Sequence, residues 1–374
     1  MWIYKAPSPL ILATLSFLVS LDLENNNFSG FLPHEIGNLH RLRKLRLSNN
    51  LLEGSIPPTL HNCQKLVVLF LYGNNLNGSI PKDLCMLPRV RAIDLGSNYL
   101  MGTIPSSLGN MSSLEYLYLY HNSLTGAFPL VIFNLSSLKI LAITGNNLSG
   151  TLPVDLCSHC PNLEGLYISD NKFSGKLPSQ FNNCRELLVL SLSYNIFHGN
   201  ISKGFGSLKK LESLYLGGNN LIGNIPPIIS NLSMLQGFYA ETNNNKGSMP
   251  SDLWRLHNLK DLVIHSNDLT GTIPQNIFNI SSLQILNLLN NSLSGNLSFD
   301  TRIPCPNLGS LFLDGNKISG RILSYLSNCS NLVAVDLSGN LLSGPIPRSP
   351  GNLKYLKIFA LADNQLTEES GHQE

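Results

Sequence analysis

The chain has 374 residues, of which 43% are hydrophobic and only 13% charged, with 25 basic against 23 acidic side chains. Such a balance supplies no bulk field for nucleic acid or an anionic membrane, and no run of 18 or more apolar residues reads as a membrane-spanning helix. A chain this long usually divides into two or three globular domains, but an internal period points elsewhere.

From the N-terminus, the apolar stretch Leu10 to Val19 follows Lys5 in the manner of a vestigial secretion signal. Its phase gives another reading. Pro9, Leu12, Leu15 and Leu18 fall one period before Pro33, Ile36, Leu39 and Leu42, so residues 1–17 read as a degenerate leading repeat. Over residues 18–367 the unit L-x-x-L-x-L-x-x-N-x-L-x-G-x-I-P then recurs fifteen times, and 368–374 are left as a tail. Its asparagines are Asn26, Asn50, Asn74, Asn98, Asn122, Asn146, Asn171, Asn195, Asn219, Asn243, Asn267, Asn291, Asn316, Asn340 and Asn364, spaced by 24 except at two steps of 25. A fixed period of this length means stacked supersecondary units in one elongated domain. The expected fold is an α/β repeat solenoid, each unit adding one short strand to a parallel sheet of about fifteen.

The third repeat shows why each residue type recurs. Leu66, Leu69 and Leu71 alternate with exposed residues and give way to Asn74, Leu76, Gly78, Ile80 and Pro81, a strand followed by a tight turn. A carboxamide at Asn74 can satisfy backbone groups that would otherwise be buried unpaired, and its repetition makes a ladder. Gly78 permits φ > 0, Pro81 fixes an extended segment, and Leu84 and Leu87 line the far side of the core. One such unit cannot fold alone. About seven aliphatic side chains at roughly 1.5–3 kcal/mol each stand against roughly 1.5 kcal/mol of ordering cost for every residue.

Residues between the leucines face away from the core and line the concave side of the sheet. In the second repeat this places Arg43, Lys44 and Arg46 near Asp22 and Glu24, either as a grip for an anionic ligand group or as mutual surface pairs. The position between the last two leucines is aromatic at Phe70, Tyr118, Tyr167, Tyr215, Tyr239 and Phe312. Flanking positions add Tyr72, Tyr116, Tyr120, His121 and Tyr194, so eight of the twelve tyrosines share one face. Large, stiff side chains with a hydroxyl suit a binding surface, although aromatic residues also favour strands and pack against one another. The ligand-binding candidates are Phe70, Tyr72, Tyr116, Tyr118, Tyr120, His121, Tyr167, Tyr215 and Tyr239, forming a groove for an extended peptide.

The seven cysteines leave at least one unpaired. Cys160 and Cys184 occupy one phase of adjacent repeats, as do Cys305 and Cys329, which brings each pair within reach of a disulfide; small buried residues would serve the same positions equally. Eleven N-x-S/T sequons occur, and those at Asn110, Asn134, Asn231 and Asn279 precede the next strand, where a glycan would be tolerated. Hydrolase, kinase and P-loop motifs are absent, as is any second pair that would turn Cys157 and Cys160 into a metal site. No cofactor or enzymatic activity is expected.

The extended unit, as in Leu269-Thr270-Gly271-Thr272-Ile273-Pro274 after Asn267, resembles the plant-specific class of extracellular leucine-rich repeats of receptor-like kinases, receptor-like proteins and polygalacturonase inhibitors. The insertions around Cys157 to Leu163 and Ile303 to Leu308 are most similar to ectodomains of immune-type receptor kinases. The resemblance implies a right-handed superhelix on the outer face of the plasma membrane or in the apoplast, binding a peptide or protein on its concave face and associating with a leucine-rich repeat co-receptor kinase. The family's paired-cysteine cap around a tryptophan has no counterpart near Trp2, so an excised or truncated ectodomain is the expectation, with a secreted inhibitor of a cell-wall-degrading enzyme or a non-functional fragment as alternatives.

Overall fold

The computed structural model describes residues 15–297, 305–322, 326 and 328–368. Most of the expected leading repeat over 1–17, and all but one residue of the 368–374 tail, lie outside them. The chain divides into two compact units, Met1–Leu187 and Leu188–Glu374.

In the first unit, seven three-residue strands run parallel from Ser20–Asp22 to Gly165–Tyr167. Their register places Leu21, Leu45, Leu69, Ile93, Leu117, Leu141 and Leu166 side by side, all but the half-buried Leu21 being core residues. The second unit repeats the arrangement with eight strands, from Val189–Ser191 to Ile358–Ala360. Each unit is a leucine-rich repeat solenoid. In the coil of Asn74, the side chains Leu66, Leu69, Leu71, Leu76 and Leu84 are fully buried, which is why neighbouring coils must stack to close the core.

A second parallel sheet lies beyond the ladder and was not anticipated by the periodicity. Its strands, such as Leu51–Gly54, Asn75–Gly78 and Tyr99–Gly102, begin next to the ladder asparagine and end at the repeated glycine. They alternate one buried leucine with outward residues, here Leu52 between Leu51 and Glu53. Gly78, at φ 76°, ends its strand in the left-handed region that glycine enters without steric cost. The residue before each ladder asparagine is left-handed at most coils too, including His121 at φ 50° and Tyr194 at φ 53°. In most coils the return limb carries a five-residue 3-10 turn, as in Lys82–Met86, and no α-helix is found among the described residues. Pro81 precedes that turn with φ −63°, and the Leu84 N–H donates to the Pro81 carbonyl at 3.2 Å.

The cysteines correct one expected pairing. Cys184 is bonded to Cys157, with Cα atoms 5.0 Å apart, and not to Cys160. Cys160 is instead a fully buried free thiol whose Sγ donates to the Leu156 carbonyl at 3.2 Å. The bridge spans 27 residues, three more than the 24-residue phase that Cys160 shares with Cys184. Cys305 is joined to Cys329, at a Cα separation of 4.7 Å.

Candidate ligand-binding face

The ladder asparagines fix the bend between the two sheets. Asn74 Nδ2 donates to the carbonyls of Leu71 and Tyr72 in its own turn and of Leu47 in the preceding coil, while its Oδ1 accepts the Leu52 N–H at 3.0 Å. Asn98, Asn146, Asn243 and Asn316 likewise satisfy groups in two coils at once. Asn26, in the first described coil, reaches only Leu23 and Glu24 of its own turn.

Held by this scaffold, the outward residues of the first sheet form two aromatic clusters, one in each unit. In the first unit, Tyr72 and Tyr120 approach to 5.8 Å between ring centroids, Tyr118 meets Tyr120 edge-on at 6.4 Å, and Tyr116 stacks beside Tyr118 at 6.5 Å. His121 abuts Tyr120 at 5.6 Å and is exposed. Phe70 and Tyr167 occupy the same column, half-buried. In the second unit, Tyr215 and Tyr239 stack at 4.6 Å with rings 7° from parallel, and the Tyr239 hydroxyl donates to Asp261 Oδ2 at 2.7 Å. The tyrosines therefore support one another while each stays half-exposed.

Sequence reasoning passed over the carboxylate in the first cluster. Asp94 stands between Phe70 and Tyr118 in register, and its Oδ1 accepts the Gly96 N–H at 3.0 Å. Burial pushes its carboxyl up to about 6, the Gly96 hydrogen bond opposing and Glu24 adding. Burial and then the Asp94 charge raise the Tyr118 and Tyr120 hydroxyls, Tyr120 to about 12. The available signal was the triplet Asp94-Leu95-Gly96 where the next coil has Tyr118-Leu119-Tyr120. In the second unit Glu241 was missed in the same way: its carboxylate lies on Gly217, and Oε2 is buried without a hydrogen-bond partner.

Of the basic trio, only Arg46 is engaged. It lies 4.0 Å from both Asp22 and Glu24 and over the Phe70 ring at 5.5 Å, while Arg43 and Lys44 are exposed and form no ion pair among the described residues. Three coils beyond Arg46, Glu115 is clamped between Arg91 and Lys139. Asn110, Asn134, Asn231 and Asn279 share one place in the fold, each the exposed last residue of a 3-10 turn on the return limb. No group of three or more His, Cys, Asp or Glu side chains among the described residues could hold a metal ion.

The family patterns for leucine-rich repeats match residues 17–39, 40–85, 88–148, 161–221 and 331–353. The chain belongs to the leucine-rich repeat family. Over 54 residues it is 46% identical to Receptor-like protein 39 of Arabidopsis thaliana, a stretch that covers 14% of this chain and 6% of that protein. Among solved structures, this leucine-rich repeat chain superimposes on the plant peptide hormone receptor RGFR1 in complex with RGF2 with a TM-score of 0.89 and 34% identity, covering 97% of this chain and 62% of the other. The Arabidopsis receptor kinase HAESA, in complex with the peptide hormone IDA and the co-receptor SERK1, gives 0.88 and 32%, covering 98% and 62%. The chain thus spans less than two thirds of either ectodomain. Among its described residues no helix is long and apolar enough to cross a membrane.

Proposed function

We propose that this chain is a non-catalytic recognition module that works outside the cell, binding an extended peptide or a protein segment on the outward face of its first sheet. The observation that carries this reading is the pair of half-exposed tyrosine clusters on a hydrogen-bonded scaffold, Tyr72, Tyr118 and Tyr120 in one unit and Tyr215 and Tyr239 in the other. Rigid aromatic side chains give contact area with little ordering cost, and the parallel sheet holds them in place before a ligand arrives. Similarity to ectodomains whose complexes contain peptide hormones, one of them with a co-receptor, supports both a peptide ligand and coupling through a second receptor chain.

The test is panning of the secreted, glycosylated chain against a random peptide library, together with pull-downs using plant co-receptor ectodomains and pectin hydrolases. Retained peptides are expected to lose at least about ten-fold in affinity with Tyr118→Ala or Tyr239→Ala, the scale of a central aromatic anchor. Capture of a hydrolase alone, with no peptide retained, would replace this reading by that of an inhibitor.

A further inference from the structure

The space around Asp94 is built differently from the rest of the tyrosine face. Phe70 and Tyr118 flank it on the neighbouring strands, about 5 Å away on each side. Two residues further along each strand the corresponding positions are Tyr72, Gly96 and Tyr120. Gly96 leaves a gap, and Tyr120 fills it by leaning across: a Cβ on residue 96 would meet the Tyr120 ring at 2.8 Å. That lean carries Tyr120 to Tyr72 and closes a third aromatic side.

At the base of this enclosure is a carboxylate with no cationic partner among the described residues. Asp94 accepts a single hydrogen bond, from the Gly96 N–H to Oδ1. Arg46, two strands before Asp94 in the same column, lies over the Phe70 ring and is held by Asp22 and Glu24. An ionised carboxylate half-removed from water and left unpaired is unfavourable, and its raised proton affinity is the signature of that. Ring faces carry negative potential as well. Carboxylate and rings together repel anions and attract a cation.

We propose that Asp94, walled by Phe70, Tyr118, Tyr72 and Tyr120, is a subsite for an arginine side chain of the bound peptide. The guanidinium is planar and weakly hydrated, so it can stack on a tyrosine ring while an N–H donates to the free Asp94 oxygen; a lysine ammonium offers no such plane. The assignment rests on the reading of this face as a peptide-binding surface, and it adds the chemistry of one ligand residue.

The probe is the pentapeptide acetyl-Gly-Gly-Arg-Gly-Gly-amide, with its uncharged citrulline counterpart, titrated in the millimolar range against the full chain by saturation-transfer NMR. Asp94→Asn is the discriminating variant, since its side-chain carbonyl still accepts the Gly96 N–H; its folded state is verified by circular dichroism. The arginine side-chain protons are expected to saturate on the wild type, with affinity at least about five-fold weaker for citrulline and for Asp94→Asn. Equal binding of the two peptides, equal binding by the variant, or no saturation at all overturns the subsite. Library peptides that need Tyr118 but neither a basic residue nor Asp94 would sink the subsite and leave peptide recognition standing. Asp94-dependent arginine binding with no library peptide retained would do the reverse.

Discussion

Asn74 reaches back across one coil to accept the backbone N–H of Leu52 at 3.0 Å, and through the same carboxamide it donates to Leu47, Leu71 and Tyr72. The contact is buried, so water cannot replace it. Asn74→Ala leaves an orphaned N–H and orphaned carbonyls, at roughly 1–3 kcal/mol for a buried unsatisfied group. A loss of about 3 kcal/mol is expected. Asn26→Ala, in an exposed coil where the side chain serves only its own turn, should cost under about 1 kcal/mol. Urea midpoints of the two variants test the contrast, and equal losses would refute the account of the ladder.

Asn245 occupies a core position held by leucine in most other coils, and it is buried. Its backbone N–H and its Nδ2 both donate to Asn267 Oδ1 at 3.0 Å, and its own Oδ1 has no partner. Asn245→Leu keeps the backbone hydrogen bond and removes the unsatisfied carbonyl. A gain of about 1–2 kcal/mol is expected in denaturant unfolding; a lower midpoint would show that the amide is needed.

Asp94 makes stability fall with rising pH. Its carboxyl stands at about 6 in the folded chain against 3.8 for the ordinary aspartate, so between pH 4 and pH 6 the folded state holds a proton that the unfolded state has released. The stabilisation is complete below the lower value and lost as pH rises through the upper one. A shift of about two pKa units corresponds to about 3 kcal/mol, and screening at this half-exposed site reduces it to roughly 1 kcal/mol. Asp94→Asn should therefore match the wild type at pH 4 and exceed it by that amount at pH 7, read from thermal unfolding at both.

Tyr239→Phe retains the stack on Tyr215 and deletes only the hydrogen bond to Asp261. Burial, with Asp261 next, raises the Tyr239 hydroxyl well above its usual range, so it remains a donor throughout the neutral range. The variant should lose about 1 kcal/mol. Ligand affinity measured alongside separates a supporting hydroxyl from one that contacts ligand.

The cysteines are distinguished by alkylation. Cys157 and Cys184 should be protected as a disulfide, and Cys160 should react only on unfolding, since burial pushes its thiol up to about 12. Half-exposed Cys85 should label in the folded chain. Cys157→Ser opens a link across 27 residues and should cost roughly 3 kcal/mol. Mass spectrometry finding Cys160 in the bridge would reverse the assignment.

The solenoid, the parallel first sheet, the ladder and the face on which the tyrosines lie are all legible in the residue pattern. Those features follow from demands that every coil repeats: Leu69 must be buried, Asn74 must satisfy the bend, and the residues between leucines must point outward. Such demands appear as a one-dimensional period. Other features depend on what stands beside a residue in the next coil. Tyr120 leans because Gly96 is empty, Asp94 is flanked in register by Phe70 and Tyr118, and Cys184 bonds to Cys157, whose Cα lies 5.0 Å away. The second sheet, too, exists only once adjacent coils lend each other backbone partners, as Gly54 and Leu76 do. Periodic residues are therefore legible from spacing, whereas the chemistry of the outward face arises where neighbouring coils differ.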